Sequence, residues 1–338
     1  MSKTTPRPVT MKDVARHAGV SRTAVSLVLN GRDSVALADE TRARVLAVAA
    51  ELGYRPNAGA RALANQRSDW YGLVTEIVTA PFAVDIIKGA QDRALVDQKY
   101  LLIASTESDP AAETAVIERL LEQRVEGLLY AATWHRAVTL PDIAREVPTV
   151  LVNCFDREGR FPAVVPDERA GGRRATERLL AAGHRRIGFV NLDPGIPAAV
   201  GRRIGFHETL REAGISADES LEISGHATAD GGYDAASALL DLADPPTALF
   251  CANDRMAMGA YDAIKERGLR IPHDVAVIGF DNQELIAAYL RPGLTTVALP
   301  FDTMGAKGVE LLAGIIAGQS TATQTVTVDC PLLERASV

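Results

Sequence analysis

The chain has 338 residues, 47% of them apolar, which is too long for one ordinary core and enough for two or three compact units. Residues 1–67 carry 11 Lys and Arg against 5 Asp and Glu, and the rest carries 25 against 38, so the overall charge of −7 hides a basic head on an acidic body. No apolar run approaches a membrane span, and the N-terminus, with Lys3, Arg7 and two prolines, has no apolar signal stretch; a cytoplasmic protein without a membrane partner is expected.

Thr10 is placed to cap a first helix, with Asp13 completing a weak capping box. Val14, Ala15 and Ala18 face inward, Gly19 supplies the stop, Val20 plugs the turn and Ser21 caps a second helix. Ala24, Val25 and Val28 form the buried face of that helix, which leaves Arg22, Thr23, Ser26, Leu27 and Asn30 outside. A solvated helix face is the plain alternative, but the complete order of cap, glycine, turn and cap predicts a helix-turn-helix reader of duplex DNA. Its second helix enters the major groove N-terminus first. Arg22 suits guanine, and Thr23 suits a thymine methyl or a base acceptor.

A third helix is predicted over 39–52, with Val45, Leu46, Ala49 and Leu52 on one face and Gly53 at its end. Arg55–Pro56 breaks the chain, and Asn57 caps a short segment containing Gly59. Mid-helix glycine costs about 1 kcal/mol relative to alanine, so residues 57–64 are expected to become helical only on DNA. The expected division is a helix-turn-helix domain over 1–56, a hinge and linker over 57–68, and a body over 69–338.

In the body, short apolar runs alternate with helical segments. Strands are predicted at 71–74, 100–104, 127–130, 149–153, 187–191, 248–252 and 275–280. Helices are predicted at 82–97, 111–122, 168–182, 202–213, 232–242, 256–267 and 303–317. This pattern predicts α/β architecture with parallel sheets covered on both faces. Ligands of such sheets sit beyond the strands' carboxyl ends. Asn253 and Asp254 follow one strand, Asp281 another, Asp167 precedes a helix, and Arg202 stands near Gly205 and Phe206. The Arg202 fork suits vicinal hydroxyls or a carboxylate, while Asp281, Asp167 and Asn253 suit ligand hydroxyls. Phe82 and Trp134 follow strands and suit the apolar face of a ring, with a rim or dimer contact the alternative for Trp134. Asp254 is read as a helix cap and His184 as ordering a turn. Cys154, Cys251 and Cys330 are scattered, which predicts small buried hydrophobes and neither a disulfide nor a metal site.

Taken together, Lys12–Ala15, Ala18–Ser21, Ala24–Ser26, Asn30–Gly31, Thr41–Arg42, Gly53–Asn57 and Ala60–Leu63 resemble the lactose/galactose repressor (LacI/GalR) family. Pro81–Phe82, Arg124–Leu128, Gly183–Ile187, Asn253–Asp254, Val277–Asp281, Leu294–Thr296 and Met304–Gly305 extend the resemblance through the body. It implies a homodimer on a near-palindromic operator. Thr10, Ser21, Ser26 and Asn30 would touch phosphates, and Arg22 and Thr23 would read bases; Leu27 stands where relatives often carry a polar base reader. Leu63 would wedge into the minor groove from a hinge that includes Asn57, Ala60 and Arg61. The body would be a type I, periplasmic-binding-protein-like effector domain of two α/β lobes joined by three crossovers. Lobe one is expected near 69–183 and 298–322, and lobe two near 184–293 and 323–338. Phe82, Trp134, Asp167, Arg202, Asn253 and Asp281 would face an effector, most often a sugar. The expected function is a ligand-controlled transcriptional regulator acting as a repressor, without cofactor or metal. An enzyme, such as a sugar kinase with a DNA-binding head, is disfavoured because no phosphate-binding glycine loop is found. An exported binding protein is disfavoured by the basic head, and a nucleoid-architectural protein would show little preference for operator over random duplex.

Overall fold

The computed structural model describes residues 7, 9–29, 37–55, 68–319 and 323–338. Asn30, Asn57, Ala60, Arg61, Leu63 and the expected hinge helix lie outside them. The chain divides into two compact units, Met1–Asp69 with Leu121–Glu126, and Trp70–Leu120 with Gly127–Val338.

The head contains α1 (Met11–Ala18), α2 (Arg22–Leu29) and α3 (Asp39–Glu51). The Thr10 amide and hydroxyl donate to the Asp13 carboxylate at 3.0 and 2.6 Å, satisfying the entry to α1. Gly19 turns left-handed at φ 66°, where a side chain would be strained. Ser21 Oγ then accepts from the Ala24 amide at 3.1 Å and starts α2. Val14, Val25 and Val45, one from each helix, are fully buried at the centre. Leu46 departs from expectation at 49% exposed. Val45 and Ala49, four residues apart, occupy the inner stripe of α3, and Leu46 lies about 100° round the helix from Val45.

The body holds two six-stranded sheets. The first contains β1 (Trp70–Thr75), β2 (Tyr100–Ser105), β3 (Leu128–Val138), β4 (Thr149–Asp156), β5 (Ala163–Pro166) and β11 (Thr325–Val328), in the order β11-β5-β4-β3-β1-β2 and wholly parallel. Helices α4 (Pro81–Val96), α5 (Pro110–Glu122) and α11 (Phe301–Ile316) belong with it. The second contains β6 (Ile187–Asn191), β7 (Glu222–Ser224), β8 (Ala248–Cys251), β9 (Ala276–Asp281), β10 (Thr295–Ala298) and β12 (Leu332–Leu333), in the order β12-β10-β9-β8-β6-β7, with only β12 antiparallel. Helices α6 (Glu168–Ala181), α7 (Pro197–Glu212), α8 (Ala229–Leu240), α9 (Asp254–Glu266) and the short α10 (Glu284–Ala287) accompany it. Each sheet has its own apolar core, the second built around stacked Phe189 and Phe250, 4.7 Å apart.

The lobe boundaries differ from expectation at two places. Helix α6, expected in lobe one, packs on α7 and the second sheet. Gly172 makes this approach possible, since a Cβ there would sit 2.3 Å from the Arg202 carbonyl oxygen. Residues 325–328, expected in lobe two, instead extend the first sheet beside β5. Both differences trace to β5, whose four residues carry the chain across the first sheet before α6 begins. The crossovers therefore fall at 166–168, 298–301 and 328–332. All three cysteines are free and buried, and burial pushes the Cys154 thiol up to about 12. No helix among the described residues is long and apolar enough to cross a membrane.

Candidate functional site

The carboxyl ends of both sheets meet at a cavity of about 370 Å³, within the range of small-molecule sites. Lobe one supplies Pro81 and Phe82 from the start of α4, Thr133–His135 from β3 and Asn153 from β4. A register shift in the β3–β4 pairing between Ala131 and Arg136 aims Thr133–His135 into the cleft. Buried Glu76 anchors the shift, accepting from the Thr133 amide at 3.1 Å, the Thr133 hydroxyl at 2.7 Å and the Arg136 guanidinium.

Lobe two supplies a buried charge cluster. Arg202, on α7, is 2% exposed. Its Nε donates to Glu168 Oε2 at 2.8 Å, Nη1 donates to the Ala252 carbonyl, and Nη2 stands 3.7 Å from Asp281 Oδ1. The guanidinium lies over the Phe280 ring, 3.7 Å from its centroid. Glu168 also faces His135 Nδ1 at 3.4 Å. One guanidinium thus serves two buried carboxylates, which divide unequally. Burial pushes the Glu168 carboxyl up, but Arg202 and His135 outweigh it and hold it below the usual range. Burial pushes Asp281 up to about 7, with Arg202 pulling it down and Glu168 pushing it up. Asp281 is also held at φ 102°, a strained conformation for a non-glycine residue of the kind found at functional sites.

Phe82, Trp134, Arg202, Asn253 and Asp281 all line the cavity. Phe82 packs on Phe301 with centroids 4.8 Å apart. Trp134 is 50% exposed and stands at the rim. Asp167 is not in the lining: its Oδ1 caps α6 by accepting from the Ala170 amide at 2.9 Å, and the next residue, Glu168, turns into the cleft. The cap expected of Asp254 is made by Asn253, which also lines the cavity, and Asp254 is not in the lining. Asn253 Oδ1 caps α9 through the Met256 amide at 2.7 Å, and its Nδ2 donates to the Ala227 carbonyl at 3.4 Å. Asp254 is buried, accepting from the Thr296 hydroxyl at 2.6 Å and the Gln283 amide at 2.7 Å; burial, then nearby Asp281, pushes its carboxyl well up. His184 contacts the Thr247 hydroxyl at 3.0 Å beside a turn.

Glu168, His135, Asn153, Arg255, Gln283 and Phe301 line the cavity without having been singled out in the sequence. For Glu168 the available signal was a second acid directly after a capping acid. For Phe301 it was an aromatic opening a helix just after a strand.

In the head, Ser21, Arg22 and Thr23 are exposed together at the start of α2, while Ser26 and Leu27 are half-buried. The Thr10 hydroxyl proton is committed to Asp13, so in this arrangement it is not available to a phosphate.

Residues 10–57 match the bacterial regulatory proteins of the lacI family, and residues 176–338 match a periplasmic binding protein-like domain. The ribose operon repressor of Haemophilus influenzae is 33% identical over 97% of this chain and 98% of its own length. The transcriptional regulator DegA of Bacillus subtilis is 34% identical over 97% of each. Among solved structures, the Lac repressor dimer bound to operator and the anti-inducer ONPF has a TM-score of 0.83 at 29% identity, covering 98% of this chain and 99% of that one. The regulator CelR in complex with cellobiose has a TM-score of 0.69 at 33% identity, covering 98% and 100%. With a capped helix-turn-helix at one end and a two-lobed cleft at the other, the chain belongs to the LacI family of bacterial regulatory proteins and is a DNA-binding transcriptional regulator.

Proposed function

We propose that this protein is a repressor whose operator affinity is set by a sugar or sugar derivative bound between the lobes. The reading rests on one observation above all: the Arg202–Glu168–Asp281 cluster and the Phe82–Phe301 pair border the same cavity. Polar donors and acceptors beside aromatic faces suit a ring with hydroxyl edges and an apolar side. Relatives support it, since one is a ribose operon repressor and another is solved with cellobiose. Because each lobe contributes to the cavity, an effector biases the lobes' relative arrangement by its differential affinity for the two states.

On DNA, a homodimer would present two heads to two half-sites, as the Lac repressor dimer does on its operator. Arg22, Thr23 and Leu27 would meet base edges, and Ser21, Ser26 and Asn30 phosphates. Thr10 would approach the backbone as well, if its bond to Asp13 is exchanged. Asn57, Ala60, Arg61 and Leu63 would form the minor-groove element. No cofactor and no catalytic step belong to this reading; sugar turnover by the purified protein would count against it.

The direct test is fluorescence anisotropy with inverted-repeat duplexes from the gene's own upstream region, repeated across a sugar panel. A preferred duplex and at least one sugar that changes its affinity by roughly 5- to 150-fold are expected. Equal binding to scrambled duplex across the whole panel would overturn the proposal.

A further inference from the structure

A hydrogen bond crosses the cavity from one lobe to the other. His135, on β3 of lobe one, places Nδ1 3.4 Å from Oε1 of Glu168, whose side chain packs in lobe two. Each partner is fixed to its own lobe. The His135 ring sits edge-on to Phe155 of β4, with centroids 5.8 Å apart, and its strand is held by the Glu76 anchor. Glu168 gives its other oxygen to Arg202 Nε at 2.8 Å. A Cβ at Gly201 would sit 2.6 Å from Glu168 Cβ, so glycine there lets α7 close over the carboxylate. Any change in the angle between the lobes must therefore be taken up in the gap between His135 and Glu168.

The neighbourhood shows what that gap controls. Helix α7, which carries Arg202, comes up against β3 on this side of the cavity. Arg202 alone faces both Glu168 and Asp281, so His135 supplies the second donor that the pair of carboxylates needs. Burial pushes the Glu168 carboxyl up, and its two partners pull it further down, so the bond is made to a charged group. Bonds of that kind are the stronger ones. Beyond the charge cluster, a looser contact also spans the cavity: the Arg255 guanidinium of lobe two stands 5.9 Å from the Phe82 ring centroid of lobe one.

We propose that the His135–Glu168 bond is a clasp between the lobes. In the effector-free protein it decides between the arrangement seen here and a more open one, and through Glu168 it ties that choice to Arg202 and the buried charge cluster. The clasp is a statement about the lobes alone; its effect on operator affinity rests on the effector reading above.

The test uses the full-length protein without added effector. Nitroxide labels are placed on Ala111→Cys, at the start of α5, and Pro194→Cys, after β6, both exposed and in opposite lobes; the native cysteines are buried. Labelled subunits are diluted into unlabelled ones, and pulsed electron resonance reads the distances within one subunit. His135→Phe keeps a ring against Phe155 but deletes the donor, and should raise the ratio of longer to shorter distances roughly 10- to 100-fold. His135→Asn returns an amide N–H to the place of Nδ1 and should restore most of the parent distribution. Should His135→Phe melt below the assay temperature, His135→Leu is read in the same way. A distance distribution unchanged by loss of the donor, or one that His135→Asn shifts as far as His135→Phe does, overturns the clasp. Operator anisotropy on the same variants separates the two claims. A change of at least about fivefold, in either direction, joins the clasp to DNA binding. Shifted distances with unchanged operator affinity support the clasp and overturn the reading in which the lobes govern the operator.

Discussion

Replacing Arg202 with Met tests the charge cluster directly. The substitution keeps length and apolar bulk over Phe280 but removes the cation between Glu168 and Asp281, which are 4% and 9% exposed. Breaking a buried ion pair from one side costs about 3–5 kcal/mol. At roughly 2–4 °C per kcal/mol for a domain near this size, the body's melting temperature should fall by roughly 6–20 °C at pH 8. The pH dependence gives the diagnostic. In the parent, Glu168 is held below its ordinary range by Arg202 and His135 against the effect of burial, so its contribution is present above its unfolded pKa and lost as pH falls through the folded one. Without Arg202, burial and the neighbouring carboxylate push Glu168 and Asp281 up. The native state then binds more protons than the unfolded chain, and stability is lost as pH rises from about 4 through the raised values. The deficit should therefore be small near pH 5 and largest at pH 8, as read by circular dichroism or differential scanning fluorimetry. A deficit of equal size at both pH values, or none, would refute the reasoning.

Three further outcomes are expected. Since Asp281 is raised to about 7, chiefly by burial, an effector hydroxyl that donates to its ionised form should bind about tenfold tighter at pH 8 than at pH 6; calorimetry on Asp281→Asn should show that slope removed, and a flat parent profile would exclude the contact. Gly172→Ala should destabilise the body by about 1–3 kcal/mol in denaturant melts, because its Cβ would meet the Arg202 carbonyl oxygen at 2.3 Å; an unchanged midpoint would show that α6 and α7 can separate cheaply. Arg22→Ala should relax operator choice at one base pair per half-site, costing about 1–3 kcal/mol at the best sequence; a uniform loss across all duplexes in a binding-selection assay would reassign Arg22 to phosphate contact.

The head was legible almost residue by residue because its determinants are local. Thr10, Asp13, Gly19 and Ser21 act within four residues of their partners. Leu46 misled because it was assigned to the same face as its neighbour Val45, from which it is turned by about 100°. The longer helices and central strands of the body were legible from their apolar runs. Strands β5, β7, β10, β11 and β12 were not, since two to four residues carry too little pattern. The site was legible where a residue simply follows a strand, as with Asp281 and Asn253. It was not where two neighbours compete for one role. Asp167 and Glu168 are both acids at a helix start, and Asn253 and Asp254 can both cap; the choices are made by Arg202, Thr296 and Gln283, far away in sequence. Asn153 and His135 enter through a left-handed strand residue and a register shift, and neither has a composition of its own.

Because the first sheet is closed by β11 and covered by α11, both more than 130 residues after β5, the order of synthesis matters. A ribosome that has delivered everything through β9 has made five of the six strands of that sheet, yet the side chains of Phe301, Met304, Val309 and Leu312 that seal its face are still to come. The nascent lobe must wait with an uncovered greasy surface while its neighbour is being made. Truncated messages should therefore yield chains that aggregate or engage chaperones until the last crossovers emerge, even though the helix-turn-helix has long since left the exit tunnel.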